Sequence, residues 1–405
     1  MTEVQEILLK ITSDILWRKV TEYTYSEQEW EVILSVAEDQ GILFPVLKSC
    51  TSIRQQLSSA SWLKWRSKLI STMLNNESLM EAQSRLLGLM KNGDIPCAVL
   101  KGAGIAVCYN DPSSRALGDI DLLIPKQFVD QAVNILVSDG FQAPKESFSH
   151  PYHIDFYKKG IVVELHYAVS TFPDSPAGEE AKRYMESWAE QIRTRHIGKH
   201  DFCCLSDHHQ ALSLLLHMER HMTTACIGLR QLCDWAAFLA DISPDFLTAQ
   251  ILPVLESCGL AEFAGVLTQT AIRYLGLNPE YGKSFESVRE SVVRAMIEEI
   301  LRAGSIHNKN NTTDSSSFFV DESGTESSLR VLFIKINSLA RRKFPITGKL
   351  PFLLPVFWIY IPLRYWVRSL MGKRVRKSLL RTIPITKQRK RLYRALNLFG
   401  SAREK

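Results

Sequence analysis

The chain has 405 residues, 45% of them hydrophobic and 23% charged, which excludes collagen, a coiled coil, wholesale disorder and a multi-span membrane protein. That length corresponds to about two or three domains and buries a core without disulfide or metal staples. The net charge of +6 averages two opposed parts: from Arg330 to the end, 20 Lys and Arg stand against Glu404 alone, giving +19, and the rest carries −13. An acidic body with a strongly basic tail is the first indication of function.

Residues 1–92 read as helical throughout. Apolar residues recur at helical spacing in VQEILLKITSDILW, SEQEWEVILSVAEDQG has an acidic first turn and Gly41 as a stop, and a long helical run spans Ser59–Met90. The opening MTEVQEILLKITSDILW carries Glu3 and Glu6, unlike a secretory signal. The eight cysteines fit no framework spacing, so reduced thiols in a cytoplasmic protein are expected.

The pattern changes at Pro96. IPCAVLKG reads as a short buried strand, AGIAVCYN as a helical segment and DPSSRALG as a loop. DIDLLIP reads as a strand and KQFVDQAVNILVSDG as an amphipathic helix ending at Gly140. A hairpin follows in YHIDFYKKGIVVELHYAV, turning at Gly160. With Lys158 opposite Ile161, Glu164 faces Asp155 and His166 faces His153. From Asp207 helices resume up to Ala303, and an Asn/Ser/Thr/Asp-rich stretch precedes the basic tail.

The chemistry concentrates in Leu100–Ile124. Asp119 and Asp121 stand two apart on an expected strand, so both carboxylates leave one face with Cα atoms about 7 Å apart. An isolated Asp-x-Asp reads equally well as an exposed strand face or a capped turn. The context favours divalent metal, which relieves the repulsion of paired carboxylates. Gly102, seventeen positions upstream, ends a strand and opens a helix, a turn whose N–H groups suit phosphate. Lys101 and Arg115 add phosphate-seeking charge, and Glu164 offers a third carboxylate from a neighbouring strand.

Gly102, Asp119-Ile120-Asp121 and Glu164 together resemble the pattern of the polymerase-β-like nucleotidyltransferase superfamily. More narrowly, LKG, Tyr109, Asp111-Pro112, Arg115, Gly118-Asp119-Ile120-Asp121 and Glu164-Leu165-His166 are similar to the bacterial group called "nucleotidyltransferase family protein", as is HMERHM followed by LRQLCDW. The superfamily's Gly-Ser pair is replaced here by Lys101-Gly102-Ala103. The resemblance covers about residues 90–240. It implies a nucleotidyltransferase core and says nothing of the tail. With the pattern along the chain, the expected fold is α+β, a small mixed-sheet core flanked by N-terminal and C-terminal helical regions: a helical region at 1–92, the core at 93–200, a helical domain at 201–303, a polar linker at 304–328 and a basic aromatic tail at 329–405.

The resemblance also implies Mg²⁺-dependent transfer of a nucleoside monophosphate from an NTP to a hydroxyl or phosphate of an acceptor, which is a small molecule, glycan, peptide or protein. Asp119, Asp121 and Glu164 would be catalytic and hold two Mg²⁺ ions. Lys101, Gly102, Arg115 and Gly118 would bind nucleotide, with His166, His217 and His221 behind them. The alternatives are a silent nucleotide-binding or scaffold protein at a membrane, and a phosphotransferase. His217 and His221, four apart on a helix, read as a metal pair, as a helix packed over the nucleotide site, or as a plain core or surface helix. The tail carries Phe352, Phe357, Trp358, Tyr360, Tyr365 and Trp366 among basic residues, so an anionic membrane surface at 329–405 is expected ahead of nucleic acid, and equally with packing of the helical tail on the acidic body or a partner. A peripheral position at the inner face of the membrane follows from that expectation.

Overall fold

The computed structural model describes residues 1–224, 227–303, 320–321, 324–344, 347, 350–370 and 379–400. Most of the polar linker expected at 304–328 lies outside them. The protein is α+β, a six-stranded mixed sheet among many helices. The N-terminal region forms α1 (Glu3–Leu16), α2 (Glu27–Asp39), α3 (Leu43–Ser49), α4 (Ile53–Gln56) and α5 (Ser59–Asn92). The first two begin with reciprocal caps, Thr2 with Gln5 and Ser26 with Glu29, which satisfy the orphan N–H groups of the first turn.

The sheet comprises β1 (Ala98–Val99), β2 (Ile120–Leu123), β3 (His153–Lys158), β4 (Ile161–His166), β5 (Arg193–Ile197) and β6 (His200–Cys204), in the order β3-β4-β2-β1-β6-β5. Two further helices lie within this stretch, α6 (Ala103–Ala106) and α7 (Val129–Ser138). β2 runs parallel to β4 and antiparallel to β1, and β1 runs parallel to β6. The β3–β4 register pairs Lys158 with Ile161, Asp155 with Glu164 and His153 with His166, as the hairpin sequence predicts. The β5–β6 hairpin, turning at Gly198, closes the other edge and is not evident from the polar RTRHIGKHDFCC.

Alternation along the central strands separates two faces. Ile120, Leu122, Ile154, Phe156, Val163 and Leu165 pack with Leu79, Leu86 and Met90 of α5 and Ala132 and Leu136 of α7 in one apolar cluster. Asp121, His153, Asp155, Glu164 and His166 point the other way. Gly104 lets α6 sit down on β1: a Cβ there would lie 2.6 Å from the Val99 carbonyl oxygen.

A larger core unites the N-terminal helices with α8 (Pro176–Glu186), α9 (Asp207–Thr224), α10 (Leu229–Asp241), α11 (Pro244–Phe246), α12 (Leu252–Ser257), α13 (Ala261–Leu275) and α14 (Glu290–Ala303). The chain beyond 328 divides. α15 (Ser328–Lys343) and α16 (Leu354–Leu370) pack on each other, whereas α17 (Leu379–Leu396) enters the large core. There Arg389 is fully buried against Glu299, and the Tyr393 hydroxyl donates to the Met222 carbonyl. The last helix of the basic stretch is therefore part of the body and not a separable tail. Among the described residues no single helix is long and apolar enough to cross a membrane.

Candidate active site

The polar face of the sheet is built in rows. Asp121, Glu164 and Asp155 are register partners across β2, β4 and β3, and His166 and His153 form the next pair along. Asp119 enters from the loop before β2, with exposed Gly118 ahead of it. Carboxylate oxygens of Asp119, Asp121 and Glu164 all lie within 4.8 Å of one another. That set of hard oxygen donors fits Mg²⁺.

Asp121 is buried and its carboxylate is neutralised from two sides. Lys101 Nζ lies 2.7 Å from Asp121 Oδ1, and His166 Nε2 lies 3.1 Å from that oxygen and 3.1 Å from Glu164 Oε2. Burial opposes charge on every member, yet the partners prevail. Lys101 and His166 hold Asp121 below its ordinary value, and His166 and Lys101 draw Glu164 down to about 2. The hydrogen bonds to Asp121 and Glu164 raise His166 against the cost of burying its charge. Lys101, expected at phosphate, is thus paired with a carboxylate.

Gly102 sits at φ +59° and ψ −116°, a conformation only glycine adopts readily, with space for a Cβ 3.7 Å from the Asp119 carbonyl oxygen. This turn joins the Lys101 side chain to the Asp119 loop. The helix it opens, α6, has only four residues.

Arg115 has a partner the sequence does not reveal. Its Nε and Nη2 each donate to Asp234 of α10 at 2.8 Å, and Tyr109 donates to the same carboxylate at 2.7 Å. The expectation that Arg115 faces phosphate gives way to a buried clamp between the 111–118 loop and the helical half. Asn76 of α5 fixes the same loop, donating to the Arg115 carbonyl and accepting from the Leu117 N–H. Asp234 is consequently occupied by Arg115 and Tyr109, and Arg230, one helical turn before it, has no carboxylate partner among the described residues.

α9 and α10 overlook the carboxylates. Arg220 lies 4.9 Å over the Tyr152 ring, its guanidinium donating to the Tyr152 hydroxyl, and Gln210 donates to the Leu100 carbonyl. The His217 and His221 rings meet edge to face at 4.3 Å. Burial, Lys101 and the neighbouring bases drive His217 well below its ordinary value. Burial and Arg220 bring His221 to about 4, against the pull of Glu164. Arg230 is lowered by burial and Arg115, with Asp234 and Asp119 acting the other way. The result is a nitrogen-rich wall of His217, Arg220, His221 and Arg230 above an acidic floor. Of this wall the sequence marks the two histidines through their spacing and Arg230 only as an i, i+4 partner of Asp234, a carboxylate that Arg115 and Tyr109 occupy instead, and it leaves Arg220 unmarked.

No curated protein matches the chain. A family model described as "Uncharacterised nucleotidyltransferase" matches residues 26–276, more than half of the chain and all of the sheet, the carboxylate cluster and the α9–α10 wall. The general reaction this family description supports is nucleotidyl transfer, and the chain belongs to that nucleotidyltransferase family.

Proposed function

We propose that the protein transfers a nucleoside monophosphate from an NTP to a hydroxyl or phosphate of an acceptor, at the cluster formed by Asp119, Asp121 and Glu164. The convergence of these three carboxylates within 4.8 Å, on a sheet face overlooked by bases, carries this reading. Bound there, two Mg²⁺ ions would activate the acceptor oxygen and neutralise the triphosphate. Asp119 and Asp121 hold the triphosphate side and Glu164 the acceptor side. With metal held by these carboxylates, Lys101, now paired with Asp121, would be available to phosphate. Arg230, which has no carboxylate partner among the described residues, attracts the triphosphate from above. The acceptor oxygen attacks the α-phosphorus, the bond to the α–β bridging oxygen breaks, and pyrophosphate leaves.

The test is incubation of purified protein with Mg²⁺ and each NTP, labelled at the α or γ position, with and without an extract of candidate acceptors. Pyrophosphate and a labelled acceptor support the reading. A nucleoside diphosphate instead marks a phosphotransferase. One observation favours a binding role without turnover: Lys101 and His166 already neutralise Asp121 and Glu164. Under that reading nucleotide binds without Mg²⁺ and no pyrophosphate appears.

A peripheral membrane position at the cytoplasmic face is part of the same proposal. Phe352, Val356, Ile359 and Leu363, spaced along one face before and within α16, are 72%, 60%, 73% and 52% exposed. Such an apolar stripe in a basic segment suits an anionic lipid surface. Trp358 does not share this role, since its Nε1 donates to Asn337 Oδ1 at 2.8 Å and its ring packs on Phe333; the Trp366 side chain lies outside the described residues.

A further inference from the structure

We propose a second metal site on the β3–β4 hairpin, in which His153 Nδ1, His166 Nε2 and Glu164 bind a first-row divalent transition-metal ion. It shares the Glu164 carboxylate with the cluster, and its His166 Nε2, now 3.1 Å from Asp121 Oδ1, would exchange that contact for the ion; it is argued from the hairpin geometry, so it does not depend on nucleotidyl transfer.

His153 is nine-tenths buried, with 9% exposure, yet its Nδ1 has no hydrogen-bond partner among the described residues. A buried ring nitrogen left without a partner is costly. The other nitrogen explains its orientation. His153 Nε2 lies 3.1 Å from Asp155 Oδ1, an ion-pair contact, and the inner nitrogen Nδ1 lies 3.9 Å from Glu164 Oε2. A carboxylate beside the outer nitrogen is the usual support of a metal-binding histidine.

The ring is held from its faces as well. His150 stacks on His153 at 3.7 Å, and Tyr152 meets it edge to face at 5.0 Å. On the next strand, His166 Nε2 already lies 3.1 Å from Glu164 Oε2. Ligand atoms of His153, Glu164 and His166 lie within 4.8 Å of one another. With bonds of about 2.0–2.2 Å, one ion requires the His153–Glu164 gap to close by only a few tenths of an ångström.

Donor type separates the two sites. Asp119, Asp121 and Glu164 offer oxygen alone, which suits Mg²⁺. Two imidazoles and one carboxylate suit Zn²⁺, Co²⁺, Fe²⁺ or Mn²⁺. Glu164 is the shared wall, so occupancy of the hairpin site would orient the carboxylate that the cluster uses.

The experiment titrates chelator-stripped, full-length protein with Co²⁺ alone and follows visible ligand-field absorption and heat. Saturable uptake of Co²⁺, displaced by Zn²⁺ and unaffected by excess Mg²⁺, is expected. His153→Gln should weaken it at least about tenfold, and Asp155→Asn about 10–100-fold through loss of ring orientation. Asp119→Asn should leave it unchanged. X-ray absorption of the Zn²⁺-loaded wild type should read two imidazole nitrogens, a result that needs no variant to fold. No saturable uptake, uptake unchanged in His153→Gln, or an oxygen-only spectrum overturns the site. Pyrophosphate release with Mg²⁺ is followed on the same preparations. Release without Co²⁺ uptake overturns this inference and leaves the proposed reaction standing, and uptake without release does the reverse.

Discussion

The two faces of the central sheet come from the same three strands, yet they obey opposite rules. On one face Ile120, Leu122, Phe156, Val163 and Leu165 pack against α5 and α7 and gain stability from burial. On the other, Asp121, Glu164, Asp155, His153 and His166 crowd like charges and unpartnered nitrogens into a buried space, an arrangement that costs stability unless cations fill it. A face that gives up stability locally is where binding chemistry is expected, and the apolar face beneath is what sustains it. The variants that follow separate the two faces.

The largest effect belongs to the polar face and to rate. Asp121→Asn and Asp119→Asn should each lower pyrophosphate release by about three orders of magnitude or more, some 4 kcal/mol of transition-state stabilisation. Glu164→Gln should lower the rate comparably while leaving NTP affinity nearly unchanged, because it serves the acceptor side. Single-turnover kinetics beside equilibrium nucleotide binding separate these outcomes.

Next in size is the apolar face. Phe156→Ala, which empties a fully buried position, should cost about 3–5 kcal/mol in urea unfolding and leave the site chemistry intact in the fraction that folds. A smaller and more diagnostic contrast lies between the two aspartates. Asp119 makes no ion pair among the described residues, so Asp119→Asn should leave the melting temperature unchanged or raise it. Asp121→Asn strands Lys101 and His166 and should cost about 1–3 kcal/mol. Equal shifts in the two variants would mean that Lys101 does not hold Asp121 in solution.

The nitrogen wall predicts a pH dependence. His217 and His221 are lowered by burial, His221 to about 4. Below about 6.5 the unfolded chain takes up protons that the folded chain refuses, so stability falls as pH drops from about 6.5 toward 4. Replacing both with Gln should make thermal unfolding less pH-dependent across that window, with the remainder carried by other buried histidines such as His153, which burial also brings to about 4. The smallest effect is at the surface: Val356→Ser with Ile359→Ser should weaken flotation with anionic vesicles a few-fold and leave nucleotide binding unaltered, and equal flotation would remove the stripe from membrane binding.

Much of this contrast is legible in the sequence because it rests on local periodicity. The alternation in DIDLLIP and VVELHY, with Gly160 at the turn, fixes which residues share a face, and the hairpin register pairs Asp155 with Glu164 and His153 with His166. The long-range pairings leave no local trace. Arg115 meets Asp234 across 119 positions, and nothing in DPSSRALG distinguishes a clamp from a phosphate ligand. Lys101 pairs with Asp121 because it continues β1, which lies antiparallel beside β2 with the Leu100 N–H donating to the Asp121 carbonyl. The β5–β6 hairpin lacks the apolar alternation that marks a strand, and α17 is hidden by its charge, although Arg389 is buried against Glu299.

The central claim is that the polar face exists to hold divalent metal against a triphosphate, and pyrophosphate release reads it most directly. Purified wild-type protein and Asp121→Asn are given each NTP with Mg²⁺ and an acceptor-containing extract, and then with Mg²⁺ removed by chelator. Release by the wild type with at least one NTP, lost on chelation and lost in Asp121→Asn, is the predicted result. Release that persists in Asp121→Asn at saturating Mg²⁺, or that survives removal of metal, would contradict it.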